Sequence, residues 1–374
     1  MSILFSHARK LDAAGSIDDF WALVEGDTIV STGTGDGPAA DETVDLEGAW
    51  LTPGFTDLHA HGGGGASFES DIPTALAVHR AHGTTRSILS LVAAPRSELE
   101  ASLGRIADAA SGDPLILGSH LEGPWLSPLR AGAHDPSFLV EPQPAALDRL
   151  LDAARGTLRQ VTIAPELPNA FELINVLVEN RVVVAIGHTE ADFELTKRAA
   201  DSGARLLTHA FNAMPGIGHR SPGPVLAAFE DERLFLELIL DGEHVHPDVA
   251  ALAFREAPHR IALITDAMAA AGSPDGDYSI GDLAVEVQGG IARLAGTETL
   301  AGSTLTQDHA LRIAIERVGI APADAVAALT LTPARILGLE HRHGLLAPGY
   351  VADLVRLDGT LAVTGVWANG APIL

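Results

Sequence analysis

Short apolar runs recur through the middle of the chain, each followed by a longer amphipathic stretch. The runs TDLHAHG, TTRSILS, LILGSHLEG, QVTIAPE, VVVAIGHT, RLLTHAF, FLELILD and RIALITDAM are too short for helices and read as buried strands. Between them, IPTALAVHRAHG, SELEASLGRIADAA, NAFELINVLVEN and ADFELTKRAADSG carry the Ala and Leu spacing of helices. Strands joined by helical crossovers run parallel. Eight of them close most simply into a (β/α)8 barrel, an α/β fold whose active site lies at the strand C-termini. An open doubly wound sheet is the alternative. No Gly-x-Gly-x-x-Gly turn follows the first strand, which weakens a dinucleotide-binding version.

Both ends of the chain have another rhythm. DFWALVEGDTIVSTG alternates about a turn at Glu25-Gly26-Asp27, a hairpin signal. GLLAPGYVADLVRLDG and TLAVTGVWANG again read as strand, turn, strand. These patterns predict a small β-sandwich from residues 1–52 and 343–374, flanking a barrel over 53–342. YSIGDLAVEVQGGIARLAGTETL predicts a β-hairpin inserted after the eighth barrel strand.

Composition narrows the chemistry. The 374 residues contain no cysteine, so disulfides, thiolate metal sites and a cysteine nucleophile are all excluded. The formal net charge of −25 disfavours a nucleic-acid partner. An anionic substrate would need a local basic pocket. No long apolar segment opens the chain or is long enough to span a membrane, so the expectation is a cytoplasmic protein.

The polar residues at the predicted strand ends form a pattern. His59 and His61 are two apart on a strand, so both imidazoles share a face and can bind one cation. Gly62 to Gly65 free the backbone beside them. His120 and Glu122 repeat the spacing. A carboxylate buried in a barrel needs a cation or a proton, so Glu122 is a candidate metal ligand and His120 a packing or supporting histidine. His188 and His209 each end an apolar strand, as neutral imidazole ligands would. Asp266 ends RIALITD and is the candidate general base for a metal-activated water. Asn212 follows His209 by three residues and can line the same mouth. Arg220 offers a planar fork suited to phosphate, to which His134 and His219 could add donors.

The ordered motifs PGFTDLHAHGGGG, HLEGPWLSPLRAGAHDP, GHTEADFELTKRAADSGARLLTHAFNAM, HRSPGPV, DGEHVHPD, LITDAMAAAG, LAGSTLT and TLTPARILGLEHRHGLLAPGYVADLVRLD span nearly the whole chain. On these the chain resembles the amidohydrolase superfamily and, within it, the deacetylases of N-acetylglucosamine 6-phosphate. HLEGP and THAFNAM carry the narrower likeness. The resemblance implies hydrolysis of an acetamide to acetate and an amino sugar phosphate, in amino-sugar catabolism. It implies Glu122, His188 and His209 as main metal ligands, His59 and His61 as a second-metal pair, and Asp266 as catalytic acid and base. It implies His244 as a sugar contact, and His134, Asn212 and Arg220 around the substrate phosphate; Ala213, beside Asn212, and His219 are counted with them as substrate-binding candidates. It also implies one or two divalent metals, zinc foremost with iron, manganese or cobalt as alternatives, and a homodimer.

The residues keep three alternatives open. One is the same reaction on the galacto epimer. Another is a superfamily hydrolase of cyclic amides or N-acyl amino acids, against which the strand-end Glu122 argues. The third is a non-catalytic scaffold, which would have lost ligands that this sequence retains. The loop Pro215–Ser221 departs from the pattern of the relatives, which carry bulkier residues before the histidine and a glutamate in place of Ser221. Its phosphate contacts are therefore not fixed by the resemblance.

Overall fold

The structure, a computed structural model, describes residues 1–374. Eight parallel strands, in sequence order around one sheet, form the barrel: β1 (Phe55–Asp57), β2 (Thr84–Leu91), β3 (Ile116–Glu122), β4 (Leu158–Ile163), β5 (Val183–Ile186), β6 (Leu206–Leu207), β7 (Phe235–Ile239) and β8 (Ile261–Ile264). Each overlaps one of the apolar runs named above, three of them starting or ending one or two residues outside it. The ring closes just past β1 and β8. There Asp266 N–H donates to the His59 carbonyl (2.8 Å), His61 N–H donates to the Ala267 carbonyl (2.7 Å), and Ala60 bridges Ala267.

The barrel interior turns polar towards the strand C-termini. Gln160 and Thr162, two apart on β4, share the inward face and are fully buried, as are His59, His120, Thr208 and Glu237. Buried polar groups must find partners, and here they bond to one another: Gln160 to Glu237, His120 to Thr162, and Thr162 to Thr208. The result is a hydrogen-bonded floor beneath the strand ends.

By their packing the residues fall into two compact units, 1–57 with 79–86 and 306–374, and 58–78 with 87–305. In the first, strands from both termini share one mixed sheet. Its order runs from Ala371–Pro372 through Val363–Ala368, Leu354–Leu357, Trp50–Pro53, Ser2–Asp12 and Gly15–Glu25 to Thr28–Thr34, with Glu42–Asp45 beside Ser2–Asp12. Glu25 pairs with Thr28 across a two-residue loop whose first residue, Gly26, has φ 61°, the conformation a tight hairpin wants from glycine. Phe5, Phe20, Leu51 and Leu354 centre its core. The buried Arg86 guanidinium grips Asp353 through two bonds, of 2.6 and 3.1 Å.

In the second unit the insert after β8 is larger than the predicted hairpin. It is a three-stranded antiparallel sheet over Gly276–Ile280, Leu283–Gln288 and Ile291–Leu294. The chain reverses twice here, at Gly281-Asp282 and at Gly289-Gly290, where a hairpin reverses once. Ile280, Val285, Val287 and Ala292 pack against Met268 and Ala269.

Candidate metal centre

Three strand-end residues carry backbone strain. His188, His209 and Asp266 have φ of 47°, 28° and 48°, in the left-handed region that costs a residue with a Cβ. Strain of this kind persists only where the surroundings impose it, and here it falls on three residues whose side chains meet. It turns each side chain off its strand and into the barrel mouth.

His188 and His209 meet at Glu122, the last residue of β3, and Asp266 meets the imidazoles on its other oxygen. Glu122 Oε1 lies 3.1 Å from His188 Nε2 and 3.0 Å from His209 Nε2, and those two nitrogens are 3.0 Å apart. Its Oε2 lies 3.1 Å from His61 Nε2 and 3.4 Å from His59 Nε2, which are 3.1 Å apart. Asp266 Oδ1 approaches the same two nitrogens at 3.3 Å (His61) and 3.5 Å (His59). One carboxylate thus separates two imidazole pairs, with a second carboxylate beside one of them. His134 also presents Nε2 to Glu122 Oε2, at 3.4 Å.

Nitrogen lone pairs that face one another at 3.0 Å need a cation between them. His188 donates Nδ1–H to the Arg130 carbonyl (2.7 Å), which leaves its Nε2 as a lone pair. Neighbouring ligands of a tetrahedral ion with bonds of about 2.0–2.1 Å lie about 3.3–3.4 Å apart. The separations here match that spacing closely. Glu122 with His59 and His61, and Glu122 with His134 and His188, each converge tightly enough for one ion. The donors are all nitrogen and carboxylate oxygen, and they fit a divalent metal.

The charges point the same way. Burial disfavours the charged form of His59, but Glu122 and Asp266 outweigh it and raise the ring well above its ordinary pKa. His61 is likewise raised against burial, to about 9, by Asp266 and Glu122. Burial pushes Glu122 up, yet the imidazoles of His59 and His134 hold it well below the usual carboxylate range. Asp266 is held at about 2, with burial opposed chiefly by His59 and His61. A field that draws protons onto two buried imidazoles is one that a divalent cation satisfies. His120 differs. Its nitrogens face the Ser90 and Thr162 hydroxyls at 2.9 and 2.8 Å, and burial with repulsion from His59 keeps it well below its ordinary value. It is a supporting histidine, not a ligand.

Above this centre opens a cavity of about 380 Å³. His61, Glu122, His134, His188, His209, Asn212, Ala213, His244 and Asp266 all line it. Asp241 holds His244 Nδ1 at 2.7 Å and helps raise its pKa against burial. Burial takes His134 down to about 4, with Glu122 only partly opposing. Gly132 covers His188, where an added Cβ would sit 3.1 Å from the ring. His219 and Arg220 lie exposed on their loop and are not part of the cavity wall.

Sequence reasoning missed two side chains here. Arg130, in the cavity wall, pairs with Glu190. Glu237, under His59, lies within FLELILD. An acidic residue inside an apolar strand was the available signal, and it went unread.

Residues 50–373 match the amidohydrolase family. N-acetylgalactosamine-6-phosphate deacetylase of Escherichia coli O157:H7 is 40% identical over 369 residues, covering 97% of each chain. Human N-acetylglucosamine-6-phosphate deacetylase is 37% identical over 350 residues, 88% of this chain and 85% of its own. Among solved structures, an aspartate-to-alanine mutant of N-acetyl-D-glucosamine-6-phosphate deacetylase from Mycobacterium smegmatis, in complex with N-acetyl-D-glucosamine-6-phosphate, superposes with a TM-score of 0.95. It is 43% identical and covers 100% of this chain and 99% of its own.

Proposed function

The chain belongs to the amidohydrolase family, and we propose that it hydrolyses N-acetyl-D-glucosamine 6-phosphate to D-glucosamine 6-phosphate and acetate. The carrying observation is Glu122, shared between two imidazole pairs with Asp266 alongside, at the base of a cavity of about 380 Å³. That volume suits a small ligand such as a sugar phosphate.

Glu122, His188 and His209 would hold one divalent cation, and His59 and His61 with Glu122 a second. A bound cation supplies Lewis-acid polarisation of the acetyl carbonyl and lowers the pKa of water towards about 7. Asp266 takes the proton of the attacking water as the new C–O bond forms. It hands a proton to the sugar nitrogen as the C–N bond breaks, so acetate and a free amine leave. His244, braced by Asp241, stands in the wall for the developing oxyanion or a sugar hydroxyl. Asn212, Ala213 and Arg130, which line the cavity, would supply donors for the phosphate end, while His134 is engaged by Glu122 and the Ala93 N–H. The nitrogen and oxygen donor set suits zinc, with iron, manganese or cobalt as occupants set by supply.

The exposed His219 and Arg220 are best used by a neighbouring subunit, in a homodimer whose loops complete one another's phosphate sites. A cytoplasmic location follows from a phosphorylated substrate. No helix is long and apolar enough to cross a membrane.

A second reading is the galacto epimer, favoured by the 40% identity to the Escherichia coli N-acetylgalactosamine-6-phosphate deacetylase. Acetate release from both sugar phosphates, compared as kcat/KM, decides between them. No release from either by metal-replete protein would sink both.

A further inference from the structure

Glu237, on β7, is fully buried beneath the metal centre and is not directed at it. Its Oε1 accepts from Gln160 Nε2 at 2.7 Å. Its Oε2 accepts from His59 Nδ1 at 3.2 Å and from the His209 backbone N–H at 3.3 Å. None of these donors is a lysine or arginine. A buried carboxylate is costly without a charged partner, and the one ionisable side chain among these donors is His59, whose far nitrogen faces the metal centre.

The four imidazoles of the two pairs at Glu122 differ in what holds their far nitrogen. The Nδ1 atoms of His61 and His209 have no hydrogen-bond partner. His188 Nδ1 rests on a neutral carbonyl, that of Arg130. His59 alone is backed by a carboxylate. We propose that Glu237 is a positioning residue for the second cation. It fixes His59 as the Nδ1–H tautomer, turns the Nε2 lone pair towards His61 and Glu122, and adds negative charge behind that one ligand. Partners of this kind set ligand orientation and basicity, and their loss lowers metal affinity by about 10- to 100-fold. Because only His59 is backed in this way, the effect falls on the His59–His61 position and spares the Glu122–His188–His209 position.

The inference rests on the two-position reading given above, and the test separates the two. Zinc content per chain is measured by elemental analysis in zinc buffers of graded free concentration, for wild type and for Glu237→Gln. The glutamine keeps the shape and an acceptor oxygen but removes the charge. The expected result is two ions in wild type, and in the variant one ion at unchanged affinity with the second weakened about 10- to 100-fold. Two ions at wild-type affinity in Glu237→Gln overturns the role of Glu237 and leaves the two-position reading standing. One ion in wild type at every concentration overturns both. A measurement on wild type alone guards against a variant that does not fold. Long-range nitrogen–proton correlation of histidine-labelled protein, with His59 assigned by His59→Gln, should show Nδ1–H. An Nε2–H signal from His59 overturns the inference.

Discussion

Asp266 Oδ1 and His61 Nε2 face each other at 3.3 Å, on the side of the imidazole pair that also meets Glu122 Oε2 at 3.1 Å. The carboxylate therefore borders the imidazole pair that would hold a cation, within reach of a proton there, and it reaches that place through a strained backbone, φ 48°. Asp266→Asn preserves the shape and removes the proton acceptor. The expected outcome is a loss of about 10²- to 10⁴-fold in kcat, with metal content and melting temperature near wild type. Near-normal acetate release by this variant would remove Asp266 from the proton transfers.

The shared carboxylate separates the roles of the other ligands. His59→Gln disturbs only the pair on Glu122 Oε2, so it should leave one ion bound and activity reduced. Glu122→Gln disturbs both pairs and should empty both positions. Elemental analysis after gel filtration reads the two variants directly. Complete metal loss in His59→Gln would mean that the centre binds its ions as one unit.

The eight barrel strands were legible in the sequence, because a buried parallel strand is a short apolar run, and segments of helical period separate several of them. Glu122, His188, His209 and Asp266 stood out for a related reason: each alone could be structural, but polar residues ending several successive apolar strands face one barrel mouth. What the sequence hid depended on distance in the chain. Glu237 meets His59 across 178 residues, and no local pattern announces that pairing. Arg130 lies in a loop, where an arginine is ordinary until the fold brings it to the cavity. The inserted sheet turns at both Gly281-Asp282 and Gly289-Gly290, one reversal more than a hairpin, because each of the two short glycine-bearing links closes an antiparallel pair.

Two arginines compete for the phosphate. Arg130 lines the cavity and is tethered to Glu190, whereas Arg220 is exposed outside it. If the substrate phosphate is read within the chain, Arg130→Ala raises KM for the phosphorylated sugar about tenfold or more, one charge-assisted contact being worth about 1.5–3 kcal/mol. N-acetylglucosamine itself should be little affected. Arg220→Ala should raise KM only if a partner subunit presents it. Mixing Arg220→Ala with an inactive Asp266→Asn protein would then restore activity through hybrid dimers. Light scattering gives the oligomeric state; a fully active monomer would exclude the shared site.

Asp308, in the first unit, makes that unit acid-sensitive. Its Oδ1 accepts from Thr306 Oγ1 at 2.6 Å and meets His82 Nδ1 at 3.0 Å, while Oδ2 accepts from Arg312 at 3.0 Å. Burial alone would raise its pKa, but the bonds from His82 and Thr306 and the charge of Arg312 hold it at about 2. An unfolded aspartate titrates near about 3.9. Between those values the unfolded chain binds more protons than the folded one, so stability falls as pH falls. The contribution is complete above about pH 5 and is lost as pH drops through the folded value near about 2. Asp308→Asn removes this titration. The variant should melt below wild type at pH 6, and the gap should narrow as pH falls below about 4. Melting curves that stay parallel across that range would show that Asp308 is not the group linking this fold to acid.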